Sequence, residues 1–147
     1  MANNEAAEAW TVDQLLDSTL DSVDVAEEQV LSEARELGFD EDEQYRIGMA
    51  VRECMVNAVV HGNRYNARKK VHLNVSRSAD RLTVVISDEG EGFDLSTLPD
   101  PLAEENLLRH SGRGILLIQG FMDEFQIRRR EPKGTEVKMV KYVGKPS

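Results

Sequence analysis

Hydrophobic residues recur along this chain with two different periods, and those periods predict its helices and strands. Spacings of three and four residues predict one amphipathic helix over about Leu20–Leu37 and a second over about Phe39–His61. Gly38 is expected to end the first helix, because glycine readily adopts a left-handed conformation there. The expected capping residues are Ser18 or Ser22 for the first helix and Asp40 or Asp42 for the second.

Alternating or short buried apolar runs, which are typical of strands, occur in five other stretches. The predicted strands are Trp10–Leu16, Val71–Val75, Leu82–Ser87, Phe125–Arg129 and Thr135–Val140. A short apolar run, Ile115–Phe121, predicts a third helix that is entered through glycines. The order of these elements predicts an α+β fold. We expect a two-layer α/β sandwich in which helices cover one face of a mixed, mostly antiparallel sheet.

The length of 147 residues corresponds to one domain with one core. We expect a disordered tail over residues 1–9 and a single folded domain over residues 10–147. The connection Asp94–Ser111 is too long for an ordinary loop and is expected to be functional or mobile. No apolar run reaches the roughly 20 residues of a membrane helix, and no secretory signal is recognised, so the cytoplasm is the expected location.

The charged residues are distributed unevenly along the chain. Residues 1–45 contain 14 acidic side chains and one basic one, the remainder contains 13 acidic and 17 basic ones, and the net charge is −9. An acidic N-terminal third argues against a general nucleic-acid-binding protein. The basic runs Arg68–Lys70 and Arg128–Arg130 are interpreted as solvated edges or, alternatively, as a docking surface for an acidic partner. The single cysteine, Cys54, excludes an internal disulfide.

Glu53 and Asn57 lie four residues apart in the second predicted helix, so they share one face, with His61 a further turn along. A polar stripe of this kind usually faces water. Here apolar residues surround it on nearly all sides, and a buried polar group without a partner is costly. A metal ion that also binds phosphates would satisfy both side chains. His61 is interpreted as a helix-end histidine in preference to a phosphate ligand.

A D-x-G-x-G pattern, formed by Asp88, Gly90 and Gly92, follows the predicted strand Leu82–Ser87. Glycine has no Cβ, so the backbone can bend sharply and a flat ligand can approach it closely. A carboxylate at the rim of such a site can accept a hydrogen bond from an exocyclic amine. Taken alone, the pattern is more often a surface turn.

Two further glycine motifs are weaker signals when taken singly. Gly112 and Gly114 precede the third predicted helix, where exposed backbone N–H groups can bind phosphate, although a tight turn is commoner. Gly134 and Thr135 stand at the start of a strand, where a turn glycine is a sufficient explanation.

The order of these motifs along the chain is more specific than any one of them. A helical E-x-x-x-N, a D-x-G-x-G after a strand, a long loop, a G-x-G before a helix and a final G-T resemble the N, G1, G2 and G3 boxes of the GHKL ATPases, which share the Bergerat fold. The resemblance covers about residues 18–143. The stretches Glu53–Asn63 and Ser111–Ile118 look most similar to bacterial anti-sigma-factor serine/threonine kinases.

This resemblance implies a role for each matching residue. Glu53 matches the general base, Asn57 the Mg²⁺ ligand, and Asp88 the acid that binds the adenine amine. The remaining matches are Gly90 and Gly92 for close approach to the base, the ATP lid over Asp94–Ser111, Gly112 and Gly114 for the phosphates, and Thr135 as support for Asp88 and adenine. Arg109 and Arg113 are candidates for neutralising the γ-phosphate charge.

The implied activity is an ATP- and Mg²⁺-dependent serine-protein kinase that regulates transcription as an anti-sigma factor. It would phosphorylate a STAS-type anti-anti-sigma protein and sequester a sigma factor as a homodimer, without binding nucleic acid or membrane. One alternative is a nucleotide-gated binding module without significant kinase activity, because both functions need the same pocket. The catalytic half of a histidine kinase is a third possibility, although no histidine precedes His61 to accept the phosphate.

Overall fold

The computed structural model describes residues 10–90 and 114–144, with the side chains of residues 114–117 left out. Its elements in chain order are β1 (Trp10–Asp17), α1 (Asp21–Leu37), α2 (Glu41–Val56), a π-helical turn (Asn57–Gly62), β2 (Lys70–Arg77), β3 (Arg81–Ser87), α3 (Gly114–Phe121), β4 (Glu124–Arg129) and β5 (Thr135–Tyr142). The tail expected over residues 1–9 and the lid expected over residues 94–111 lie outside the described residues.

The five strands form one sheet in the order β1-β2-β3-β5-β4, and the four pairings between them are all antiparallel. Val71, Leu73 and Val75 on β2 belong to the buried core that the sheet shares with the helices, whereas Asn74 and Ser76 alternate with them. Each such buried aliphatic side chain stabilises the fold by roughly 1.5–3 kcal/mol. The predicted α+β two-layer sandwich is confirmed.

Helices α1 and α2 face each other at Gly48, whose missing side chain leaves room for the Glu27 carboxylate. A Cβ added to Gly48 would lie 2.9 Å from Glu27 Oε2. Arg52 on α2 then bridges to α1, since its Nη1 donates to Asp24 Oδ1 at 2.8 Å and to Glu27 Oε1 at 2.7 Å. Across residues 10–90 and 114–144, no helix combines the length and the apolar character that spanning a bilayer requires.

Two of the predicted helix-end signals are confirmed and one is wrong. Gly38 ends α1 in the left-handed conformation with φ 89°, and Asp40 Oδ1 accepts a hydrogen bond from Glu43 N at 2.8 Å. Neither Ser18 nor Ser22 caps α1, whose first turn has no side-chain cap. Ser18 instead donates its hydroxyl to the Lys69 carbonyl at 2.5 Å, so a tertiary partner replaces the local one.

The second helix ends at Gly62, close to the predicted end, but its last turn is not an α-helix. Residues 57–62 form a π-helical turn, in which the N–H of Asn63 donates to the Ala58 carbonyl five residues earlier at 2.8 Å. The two residues that follow, Arg64 and Tyr65, adopt left-handed φ values of 52° and 59°. The wider turn and this bend redirect the chain from the helix toward β2.

Replacing Arg64 with glycine is expected to raise the free energy of unfolding by about 0.5–1 kcal/mol. A left-handed conformation costs a side chain roughly 1–2 kcal/mol, and the greater freedom of glycine in the unfolded chain offsets part of that gain. Urea unfolding measures the effect. Arg68→Gly is the matched control, because Arg68 is exposed in the same loop and lacks a positive φ. Equal effects of the two substitutions would contradict the assignment of strain to Arg64.

Candidate functional site

Asp88, the first residue after β3, is 6% exposed and is held by backbone groups. Its N–H donates to the Thr135 carbonyl at 2.9 Å. The N–H groups of Gly90 and Thr135 both donate to Asp88 Oδ1, at 2.9 and 3.2 Å. Among the hydrogen bonds between described residues, none ends on Oδ2. One carboxylate oxygen therefore fixes the side chain, and among the described residues the other has no hydrogen-bond donor.

The electrostatic environment of Asp88 combines burial with nearby positive groups. Burial raises the pKa of Asp88 above its ordinary value, and this effect exceeds the opposing effects of the Gly90 and Thr135 N–H groups and of the Arg130 and Lys69 charges. Arg130 also donates from Nη1 to the Asp88 carbonyl oxygen at 2.8 Å. Part of the basic run Arg128–Arg130 therefore supports the site and is not simply a solvated edge.

Three glycines enclose Asp88 so closely that none could carry a side chain. A Cβ on Gly62 would lie 2.4 Å from Asp88 Oδ2, and a Cβ on Gly90 would lie 1.9 Å from the Gly62 carbonyl oxygen. Gly134, with φ +113°, would place a Cβ 2.1 Å from the Asp88 carbonyl oxygen. The end of the π-helical turn, the loop after β3 and the turn before β5 therefore meet at this carboxylate.

The predicted acid–amide pair, Glu53 and Asn57, lies on the second helix, whose last residue, Gly62, contacts Asp88. Asn57 is the first residue of the π-helical turn and Glu53 lies one turn earlier, on α2. Both side chains are partly buried, and neither forms a hydrogen bond or ion pair with another described residue. The turn that begins at Asn57 closes at Gly62, against Asp88. The chain segment that carries the acid–amide pair therefore continues directly into the contact with Asp88, and His61 on the same turn is exposed.

Several predicted site residues cannot be located in this way. Gly92, Arg109, Gly112 and Arg113 lie outside the described residues. Gly114 is the first residue of α3. Within residues 10–90 and 114–144, no group of three or more His, Cys, Asp and Glu side chains could hold a metal ion. A Mg²⁺ ion held by Asn57 would consequently need phosphate and water oxygens as its other ligands, which is how Mg²⁺ commonly binds in nucleotide sites.

The structural part played by Asn63 is not among the features that the sequence predicts. Asn63 is 1% exposed and hydrogen-bonds through its side chain to Ser18, Lys70 and Glu89. Its position directly after the helix-ending glycine was the only signal in the sequence. The role of Gly62 is not predictable from local sequence either, because its contact partner Asp88 lies 26 positions further along the chain.

The stability of the protein is expected to show a pH dependence that arises from Asp88. Because the folded-state pKa of Asp88 is raised, the folded protein binds this proton more tightly than the unfolded chain. Protonated Asp88 contributes to the free energy of unfolding. This contribution is complete at pH values below the ordinary pKa of 3.8, and it is lost as pH rises through the folded-state pKa. Asp88→Asn removes it, so the stability of wild type relative to D88N should fall as pH rises through that window. Urea unfolding at several pH values measures this difference, and parallel curves would contradict it.

Gly62→Ala is expected to destabilise the protein by about 1–3 kcal/mol, because the new methyl group must displace the Asp88 carboxylate. Gly120→Ala is the control: it lies on α3 with open space around it, so alanine should stabilise the helix by up to about 1 kcal/mol. Urea unfolding of the two variants provides the measurement. A neutral effect of Gly62→Ala would show that the carboxylate is not held against this glycine.

Comparisons with known proteins show the family to which this fold belongs. The family model described as the histidine kinase-like ATPase domain matches residues 16–141. The chain is 32% identical over 106 residues to the anti-sigma F factors of Oceanobacillus iheyensis and Bacillus subtilis, which covers 71% of this chain and 73% of each relative. It is 33% identical over 104 residues to the anti-sigma F factor of Bacillus thuringiensis, covering 69% of this chain and 71% of that relative. The chain belongs to the family of histidine kinase-like ATPase domains, the GHKL ATPases, and within that family it resembles bacterial anti-sigma factors.

Proposed function

We propose that this protein is an ATP-dependent protein-serine/threonine kinase that also acts as an anti-sigma-type regulator. The observation that carries the proposal is the junction at Asp88. The helix that carries Glu53 and Asn57 ends against a buried carboxylate whose Oδ2 accepts no hydrogen bond from the described residues. The family membership implies an ATP-binding domain, and the relatives are named as anti-sigma factors.

Each residue then has a task that its chemistry suits. Asp88 Oδ2 accepts a hydrogen bond from the exocyclic amine of adenine, while Thr135 holds Oδ1 and Gly90 and Gly92 admit the flat base. Asn57 offers an amide oxygen to Mg²⁺, a hard cation that prefers oxygen ligands. Magnesium-ATP, when bound, supplies the phosphoryl group.

Glu53 is the proposed general base. Its carboxylate lies one turn from Asn57 and has no partner among the described residues, so it can take the proton of a serine hydroxyl. General-base catalysis of this kind contributes typically 10²–10⁴-fold in rate. Backbone N–H groups at Gly112 and Gly114 and the charges of Arg109 and Arg113 are proposed to stabilise the phosphates, as phosphoryl transfer requires.

The proposed phosphate acceptor is a serine on a STAS-type anti-anti-sigma protein, and the proposed captured target is a sigma factor. The protein would act in the cytoplasm as a homodimer. The names of the relatives support a sigma-factor target, and the acceptor and the dimer extend the resemblance to the anti-sigma-factor kinases.

Glu53→Gln is expected to lower phosphoryl transfer by about 10²–10⁴-fold while leaving the affinity for magnesium-ATP nearly unchanged. The glutamine keeps the shape and polarity of the side chain but cannot accept the proton. The measurement is transfer of labelled γ-phosphate from ATP to a panel of purified STAS-domain proteins. Glu36→Gln is the matched control, because Glu36 is exposed on α1 and makes the same change in charge elsewhere.

Wild-type rates in the Glu53→Gln variant would refute Glu53 as the base. A wild-type protein that binds ATP, transfers nothing and captures a sigma factor only with nucleotide would instead be a nucleotide-gated binding module. A histidine-phosphorylated product would indicate a histidine kinase. The three outcomes are distinguished by the acid stability of the labelled product and by sigma-factor binding with ATP, with ADP and without nucleotide.

A further inference from the structure

Asn63, the residue directly after the π-helical turn, uses both of its side-chain donors and its acceptor inside the protein. Its Nδ2 donates to Ser18 Oγ at 2.9 Å and to the Lys70 carbonyl at 3.1 Å. Its Oδ1 accepts from the N–H of Glu89 at 2.8 Å. This one buried side chain therefore joins the turn between β1 and α1, the start of β2 and the loop after β3 to the end of the second helix.

The bond to Glu89 bears directly on Asp88, because it holds the peptide next to that residue. The Glu89 side chain adds a second tie, since its Oε2 accepts from Lys70 N at 2.6 Å. Gly90 N then turns back to donate to Asp88 Oδ1. The loop that carries the carboxylate is thus fixed by Asn63 in addition to the bonds that Asp88 forms with Thr135 and Arg130.

The same stretch of chain also fixes Asp88 relative to the helix. Gly62 contacts Asp88 on the Oδ2 side, and Asn63 follows it immediately. The two left-handed residues after Asn63 show that the chain tolerates backbone strain at this point. A buried side chain with several hydrogen bonds supplies a reason for that tolerance, since its buried partners would otherwise be left unpaired.

We propose that Asn63 is a positioning residue for base recognition, which sets Asp88 Oδ2 relative to the helix of Glu53 and Asn57 and so determines the preference for 6-aminopurine nucleotides. The proposal rests on the proposed adenine-binding role of Asp88. Asn63 touches no substrate in this account. It acts through the Glu89 peptide.

The chemistry of the purine edge explains why such positioning affects selectivity. A 6-amino group donates to a carboxylate oxygen, whereas a 6-oxo group presents an acceptor that the same oxygen repels. Hydrogen bonds weaken steeply as their geometry departs from linear, and a site built to bond one polar group rejects an analogue that lacks it. A displaced carboxylate therefore attracts the 6-amino group less and repels the 6-oxo group less. The difference in affinity between ATP and ITP then becomes smaller.

The test compares the dissociation constants of magnesium-ATP and magnesium-ITP, measured by calorimetry, in wild type and variants. Asn63→Leu removes all three hydrogen bonds and is expected to reduce the ITP-to-ATP ratio of dissociation constants at least about tenfold. Asn63→Asp keeps an acceptor for Glu89 N but cannot donate to the Lys70 carbonyl. We expect it to lower the thermal midpoint yet to keep the ratio within about threefold of wild type.

Asn66→Ala is the matched control for loop stability. Asn66 Oδ1 accepts from Arg68 N in the same exposed loop and has no bond to the Asp88 segment, so the ratio should stay unchanged. A full wild-type ratio in Asn63→Leu, with only a lower thermal midpoint, would overturn the proposal. So would an equal loss of discrimination in Asn63→Leu and Asn63→Asp. If Asn63→Leu does not fold, Asn63→Asp provides the test. A loss of the ITP-to-ATP ratio of dissociation constants in Asn63→Asp, which keeps the bond to Glu89, would contradict the role assigned to that bond.

Failure of the proposed function gives different results. A wild-type protein that binds ATP and ITP equally would overturn the adenine-binding role of Asp88, and with it this inference. A wild-type protein that prefers ATP to ITP but transfers no phosphoryl group would overturn only the kinase proposal.

Discussion

Burying the Asp88 carboxylate is the constraint on which the site depends. An ionised carboxylate removed from water must be hydrogen-bonded, because burial disfavours its charged form. The protein supplies two backbone N–H groups to Oδ1, an arginine to the adjacent carbonyl and three glycines that allow the surrounding chain to close in. These contacts satisfy one carboxylate oxygen, and no described residue donates to the other.

The sheet topology brings the required segments to this carboxylate. Strands β3 and β5 are antiparallel neighbours, with Ser87 opposite Glu136, so the residue that leaves β3 faces the residue that enters β5. The backbone N–H of Asp88 consequently donates to the Thr135 carbonyl, and the Thr135 N–H donates to Asp88 Oδ1, although the two residues are 47 positions apart. The second helix adds the third side of the site, because its π-helical turn ends against Asp88. An α-helical turn would rise further per residue and leave Gly62 in a different place.

Much of this architecture follows from local patterns in the sequence. Periodicity predicts the five strands and three α-helices of the described residues, since local apolar spacing reflects which side chains most of these elements bury. The end of α1 at Gly38 and the cap at Asp40 are predictable for the same reason, because their partners are within five residues. The D-x-G-x-G pattern identifies Asp88, but the pattern alone does not distinguish a site from a turn.

Features that depend on distant partners are not predictable in this way. Ser18 has the chemistry of a helix cap, yet it bonds to Lys69 and Asn63, which lie 51 and 45 positions away. The π-helical turn is missed because α and π turns have the same apolar spacing over so few residues. Gly62 and Asn63 look like ordinary turn formers until the fold places Asp88 and Glu89 beside them.

The central claim is that the helix bearing Asn57 and the loop bearing Asp88 enclose a single adenine nucleotide. Amide chemical shifts of the ¹⁵N-labelled protein, followed during a titration with magnesium-ATP, test this most directly. The account predicts that the signals of Asn57, Gly62, Gly90 and Thr135 shift together and fit one dissociation constant at one nucleotide per chain. Shifts confined to one of the two segments, or two groups of signals that saturate at different nucleotide concentrations, would contradict it.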